Sequence, residues 1–378
     1  MKKLLILSAT ADAGHTRAAD ALAKTVQSLR LPVKIEHRDI LDFTFPLFKK
    51  VYSEINNAIA GHTPELWGYL YKKSQFKGFP KPKNSFLKVF DQFNYKKYLD
   101  YLNDYAPDAV ICTHFLPYIA ITDELAKPSW QFPFYTVPTD YDVHSLWIHP
   151  SVKRYYVATE EAAWTVCSYG IEEKAVMVTG IPVHPAFTSI EPKASTRKEL
   201  NLDPKPFTIL ILSGGYGIGV IDTLVPSVIE FLSTFKRRKF NVLVICGKNK
   251  RLHDILSRIS SPENVNVSIF GFISNVDQLM DASDVLITKS GGLTVSEALS
   301  KHLPMIIFDA VPGQEGRNAD YLVEHGAAIK AANFTNLNFK LKYLANDSAS
   351  RKAMSDSALK IAKPNAAMKI LKDILNPI

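Results

Sequence analysis

Twelve short runs, most of them β-branched and apolar and each followed by a turn or a helical stretch, constrain this chain more than any other feature. Runs without polar alternation need cover on both faces, and parallel sheets with helices on either side provide it. In the first half the expected strands span 3–8, 33–37, 108–113, 134–137, 154–158 and 176–179. In the second they span 207–212, 241–246, 265–270, 284–288, 305–308 and 327–330. Between 186 and 207 the chain turns polar and loses periodicity, which marks an interdomain connection. At 378 residues the chain is too long for one ordinary core. The predicted fold class is therefore α/β, two doubly wound Rossmann-like domains facing a cleft that is the default ligand site. The expected limits are 1–190 and 191–359, with a helix in 360–378, after the interruption at Pro364, able to pack back on the first domain.

With 47% hydrophobic and 22% charged residues, the composition is that of a globular protein and excludes disorder. Cys112, Cys167 and Cys246 are odd in number and widely spaced, and read as buried thiols of a reduced, cytosolic protein. Lys2 and Lys3 precede an apolar stretch, but residues 4–7 are too few for a signal peptide and read as a buried strand. No apolar run approaches the ~18 residues of a membrane-spanning helix, so a membrane role would be peripheral.

Three strand-end segments in the second half carry chemistry. Ser213-Gly214-Gly215-Tyr216-Gly217 closes an apolar run with glycines that let backbone approach a phosphate, while the next helix offers free N–H groups and a positive dipole end. The bland alternative is a tight turn that holds nothing. Lys289-Ser290-Gly291-Gly292-Leu293-Thr294 is a second such turn, and Glu297 lies about one helical turn further on. A carboxylate there suits a ribose diol, or merely favours the helix dipole. Pro312-Gly313-Gln314-Glu315 with Asn318 gathers side chains that can pair sugar hydroxyls, although loops also collect polar residues for solubility.

These segments, with Gly271-Phe272-Ile273, resemble the C-terminal nucleotide-sugar domain of glycosyltransferase family 28. The closer likeness is to its branch of monogalactosyldiacylglycerol synthases and processive diacylglycerol glucosyltransferases. It is carried also by Pro138-Thr139-Asp140-Tyr141-Asp142-Val143-His144, Trp147-Ile148-His149-Pro150, Tyr156-Val157-Ala158-Thr159-Glu160 and Thr179-Gly180-Ile181-Pro182-Val183. The resemblance implies a GT-B fold, inversion at the sugar carbon, and a UDP-sugar used as substrate with no cofactor and no metal. It implies that the Phe272 segment holds the uracil and Glu297 the ribose. Gly291, Gly292, Leu293 and Thr294 would hold the diphosphate; Ser290, and Gly214 and Gly215 of the first glycine-rich turn, are further UDP-sugar-binding candidates. Gln314, Glu315 and Asn318 would hold the sugar, Glu315 also counting as a catalytic candidate.

In the first half, Ser8-Ala9-Thr10-Ala11-Asp12-Ala13-Gly14-His15 places His15 at a helix N-terminus on a strand end. An alcohol attacking an anomeric carbon must lose its proton, and a neutral imidazole suits that near pH 7. The resemblance makes His15 the catalytic base, although Asp12-Ala13-Gly14 stands where plant members have three glycines; the plain alternative is a locally bonded helix-end histidine. Asp140 is a candidate to orient it. His114 follows a buried strand and is placed to line the same site, while His144 and His149 recur in the lipid-branch pattern without a derivable role. No His, Cys and Asp set has metal-ligand spacing.

Residues 43–100 hold ten lysines against four acids, most of the chain's net +8, among fourteen aromatics. Lys72, Lys73, Lys77 and Trp67 are the candidates to meet an anionic membrane surface. An ordinary helical insertion with core aromatics and solvated lysines is the alternative. The expectation is a peripheral enzyme on the cytoplasmic face of the cell membrane, moving a hexose from UDP-glucose or UDP-galactose to a diacylglycerol-type lipid. Its rivals are a GT-B transferase with an undecaprenyl-linked acceptor, the related UDP-N-acetylglucosamine 2-epimerase, and a non-catalytic UDP-sugar sensor. The lysines sit among aromatics with no recognisable RNA or DNA module, which argues against nucleic acid.

Overall fold

A computed structural model describes residues 1–10, 13–46, 49–50, 95–212 and 220–375. Lys72, Lys73, Lys77, Trp67, Gly214 and Gly215 lie outside the described residues. The chain divides into two compact units, one of residues 1–185, 312–314 and 365–378, the other of 186–311 and 315–364.

The first unit is built on a six-stranded parallel sheet of β1 (Lys2–Ser8), β2 (Val33–Asp39), β3 (Ala109–Cys112), β4 (Phe134–Thr136), β5 (Val152–Val157) and β6 (Val176–Val178). Its order is β2-β1-β3-β4-β5-β6, so the chain leaves β1 to one side and returns to the other, with the switch point between β1 and β3. Both faces are covered. Leu5, Leu7, Val110 and Cys112 point into one apolar cluster. Leu4, Ile6, Ala109 and Ile111 point into another with Ala19 and Leu22 of α1 (Ala13–Ser28). That alternation explains why β1 reads as a continuous apolar run: Leu4 through Leu7 all have zero exposure.

The second unit repeats the plan. Its sheet runs β12-β11-β10-β7-β8-β9, all parallel, from β7 (Phe207–Leu212), β8 (Phe240–Ile245), β9 (Val265–Phe270), β10 (Val285–Thr288), β11 (Met305–Phe308) and β12 (Ala328–Ala331). Here the switch point lies between β7 and β10. In doubly wound sheets ligands bind outside the carboxyl ends of the strands flanking such a point. His15 follows β1, His114 follows β3, and Ser290 follows β10.

The remaining helices used below are α2 (Glu160–Ser168), α3 (Gly292–Ser300), α4 (Gln314–Glu324) and α5 (Ala366–Leu375). Helix α5 brings Ala367, Ile370, Leu371 and Ile374 onto the face of the first sheet that α1 also covers. Arg154 of β5 pairs with Asp373 there, and the Tyr156 hydroxyl donates to the same carboxylate at 2.7 Å. One expectation needs correcting: Cys112 and Cys246 are buried thiols, but Cys167 is only half-buried. It lies three residues after Trp164, which is 79% exposed, and so shares the outer face of α2. Among the described residues no helix is long and apolar enough to cross a membrane.

Candidate functional site

At the first switch point, His15 is the third residue of α1 and is half-buried. Three strand ends converge on it. The Thr113 hydroxyl, just past β3, donates to the His15 carbonyl at 2.9 Å. Thr139 Oγ1, just past β4, lies 3.0 Å from His15 Nδ1. The His114 ring stands edge-on to the His15 ring, centroids 4.7 Å apart at 83°, and Trp147 closes the group at 5.9 Å. If Thr139 accepts from Nδ1–H, Nε2 is the basic atom of the His15 ring. The hydroxyl that meets the ring thus belongs to the residue before Asp140. No sequence signal marked Thr139, which stands three residues past the end of β4.

The loop after β4 is held in place. The Thr159 side chain, which caps α2 by accepting from Ala162 N at 2.9 Å, donates to the Tyr141 carbonyl at 3.0 Å. Asp142 Oδ1 accepts from Val143 N at 2.8 Å. His144 Nδ1 accepts from Leu146 N at 3.2 Å and caps the short helix Ser145–Trp147. His149 Nδ1 accepts from Ser151 N at 3.2 Å, and the Tyr155 hydroxyl donates to the His149 carbonyl at 2.8 Å. These two histidines therefore shape turns around the buried Trp147, a structural task that their motif alone did not reveal.

At the second switch point, the turn after β10 feeds α3, whose N-cap Gly291 provides no side-chain cap. With glycine at the N-cap, the first-turn N–H groups of Gly292, Leu293 and Thr294 receive no cap from that side chain, and a helix N-terminus favours negative charge through its dipole. All nine residues of α3 are buried, including Glu297 at 2% exposure. Ser290 Oγ donates to the Glu315 carbonyl at 2.6 Å, and Asn318 Nδ2 donates to the Ser290 carbonyl at 2.9 Å. Glu315 Oε2 in turn accepts from Val311 N at 2.8 Å. The structure thus brings Ser290, Gly291, Glu315 and Asn318 together at the start of α4, and gives the fully buried Asn318 amide a clamping contact on the turn. Gln314 opens α4 and is half-buried. Phe272 is 69% exposed, with Lys248 Nζ 5.7 Å from its ring centroid. Lys289, the first residue of that turn and given no role from the sequence, has its ammonium 3.6 Å from Asp309 Oδ2. Asp309 takes a left-handed backbone at φ 58°, a turn that no sequence pattern announced. Among the described residues no group of three or more His, Cys, Asp and Glu side chains is placed to hold a metal ion.

The two halves match different family models, Monogalactosyldiacylglycerol (MGDG) synthase over residues 15–183 and the glycosyltransferase family 28 C-terminal domain over 208–374. Over 99% of its length the chain is 30% identical to monogalactosyldiacylglycerol synthase 2, chloroplastic, of Arabidopsis thaliana, covering 80% of that protein. The chain belongs to glycosyltransferase family 28. Within the family it is also 28% identical to the processive diacylglycerol beta-glucosyltransferase of Bacillus subtilis (strain 168), over 99% of this chain and 95% of that one. Among solved structures it is similar to Acinetobacter baumannii MurG at TM-score 0.61 and 17% identity, covering 99% of both chains. The S. aureus MnaA–UDP co-structure matches at TM-score 0.66 and 16% identity, covering 100% of this chain and 98% of that one. These likenesses are of fold, and the fold is GT-B. The family 28 chain is a glycosyltransferase, as its motifs implied.

Proposed function

We propose that this glycosyltransferase moves glucose or galactose from a UDP-sugar to the free hydroxyl of diacylglycerol or a similar membrane lipid, with inversion. The observation that carries the reading is the match along 99% of the chain to relatives from a bacterium and a plant whose names both specify diacylglycerol. The first unit handles the acceptor and the second the UDP-sugar. His15 Nε2 takes the proton of the acceptor hydroxyl as its oxygen attacks the anomeric carbon. UDP departs with the electron pair of the broken bond, its charge met by the N-terminal end of α3 and by Lys289. Glu297 holds the ribose, the Phe272 segment the uracil, and Gln314, Glu315 and Asn318 the sugar. The glycines at 214 and 215 add to the phosphate site.

Docking is peripheral, on the cytoplasmic face of the membrane, through the basic aromatic stretch that includes Trp67, Lys72, Lys73 and Lys77. A chain that takes its sugar from a soluble nucleotide and delivers it to a lipid needs such a surface. The test is transfer of label from UDP-glucose and from UDP-galactose into vesicles containing diacylglycerol, against vesicles containing a polyprenyl-phosphate acceptor. Label appearing in diacylglycerol supports the reading; label in the polyprenyl acceptor alone assigns the chain to the peptidoglycan type of acceptor.

A further inference from the structure

His114, His144 and His149 share one local contact: each Nδ1 accepts from the backbone N–H two residues on, at Leu116, Leu146 and Ser151, over 3.1–3.2 Å. That contact places the proton of a neutral ring on Nε2. For His114 the ring so fixed is the one packed against His15. It is 3% exposed, stands at 83° to His15, and is backed by Phe115 at 4.2 Å and Trp147 at 6.2 Å. Trp147 is itself anchored, its carbonyl accepting from the Tyr118 hydroxyl at 2.8 Å.

We infer that His114 is a positioning residue for His15, an uncharged ring held edge-on that fixes the plane in which His15 offers Nε2 to the acceptor hydroxyl. The inference rests on His15 being the base. In the transfer, the acceptor O–H bond breaks and its proton goes to His15, the oxygen–anomeric carbon bond forms, and the electron pair of the old glycosidic bond leaves on UDP. His15 becomes cationic in that step, so a neighbouring ring must neither take the proton nor add a second positive charge. His114 meets both needs, because its Nδ1 is engaged by Leu116 and its Nε2 bears hydrogen. Burial, with His15 beside it, also holds His114 well below the ordinary imidazole range. Among the described residues, Thr113, Thr139, Phe115 and Trp147 also contact the pair and do not change charge near neutrality; Asp140 follows Thr139 on the loop.

The fold supplies the pairing. The residues follow β1 and β3, adjacent strands whose register sets Leu7 opposite Cys112, and Thr113 N donates to the Leu7 carbonyl at 3.0 Å. His114, two residues past β3, thus meets His15 at the start of α1.

The test compares two variants. His114→Asn keeps an oxygen for the Leu116 amide but removes the ring. It is expected to lower kcat about tenfold or more, since small misplacements of a reacting group have large effects, and to leave KM for the UDP-sugar unchanged. The acid limb of kcat/KM should move to higher pH, because water filling the gap stabilises the His15 imidazolium. His114→Phe keeps a ring but strands the Leu116 amide; it is expected to lose thermal stability while its acid limb stays nearer the wild-type position. Wild-type kcat and acid limb in a folded His114→Asn enzyme would overturn the inference. Should that variant not fold, NMR of the wild-type imidazoles decides. His114 must remain in its neutral Nε2–H form through the ordinary imidazole range, and a titration centred at about 6.5 would overturn the inference. His15→Ala separates the two layers. Loss of activity there with normal His114→Asn kinetics sinks the positioning role alone, whereas full activity in His15→Ala removes the base and the positioning role with it.

Discussion

Asp284 is the anchor of the second sheet at the edge away from its strand-end turns, and replacing it with Asn should loosen that unit selectively. Its carboxylate, 16% exposed, accepts from Thr208 N at 2.8 Å and pairs with Arg197 at 2.7 Å and Lys193 at 2.6 Å. Asn keeps an oxygen for Thr208 but takes the counter-charge from Arg197, whose side chain is 6% exposed. Breaking a buried pair by removing one partner costs roughly 3–5 kcal/mol. Lys193, 43% exposed, adds at most about 1 kcal/mol. Arg197 retains its bonds to the Ala282 and Pro204 carbonyls, so a loss near the lower figure, about 3 kcal/mol, is expected. Burial works against the charge of Asp284, but Lys193, the Thr208 amide and Arg197 outweigh it and hold the carboxyl below its ordinary range. A depressed folded-state value means that the contribution is complete above the unfolded value of about 4 and fades as pH falls through the folded one. Hydrogen exchange at the amides of β7 and β10, with β1 and β3 as the internal control, reads the effect unit by unit. The expected result is faster exchange in the second sheet near neutrality, with the gap between variant and wild type closing in acid. Equal protection at neutral pH, or a gap that widens in acid, would refute the reasoning.

His15→Ala should lower turnover by about 10²–10⁴ while UDP affinity, measured by calorimetry, stays at the wild-type value. Glu297→Ala should weaken UDP binding by roughly 1.5–3 kcal/mol, the range for hydrogen bonds to a charged group, and an unchanged calorimetric affinity would remove the ribose role. Neutralising Lys72, Lys73 and Lys77 together should lower activity on anionic vesicles far more than on a short-chain soluble acceptor. Wild-type vesicle binding should weaken as salt shortens the Debye length from ~10 Å at 0.1 M to ~3 Å at 1 M. Equal loss on both acceptors would make the stretch structural.

Central strands were legible because burial on both faces makes them apolar runs, and residues 207–212 match β7 end to end; the partly buried edge strands β2 and β9 show instead as alternation, and residues 265–270 match β9 end to end. Strand β5 shows where that signal fails. Its expected start at residue 154 is two residues late, since Lys153 and Arg154 break the apolar pattern, and Arg154 is accommodated by Asp373, 219 residues away. Helix starts were legible where a turn follows a strand, as at Gly292. Partnerships between residues beyond different strand ends were not. Thr139 meeting His15, and Asn318 clamping Ser290, join residues 124 and 28 positions apart, which only the sheet order brings together. The histidines of the 144–149 motif carry no derivable role in the sequence, and their Nδ1 atoms accept from backbone amides that shape turns.

The most direct measurement follows the anomeric carbon. Purified protein is incubated with UDP-glucose or UDP-galactose and diacylglycerol vesicles, and the linkage of the extracted glycolipid is read by NMR. An inverting transfer from the α-linked donor must give a β-linked hexose on the lipid hydroxyl, and His15→Ala must form it far more slowly. An α-linked product, or sugar released to water with diacylglycerol untouched, would contradict inverting transfer to the lipid.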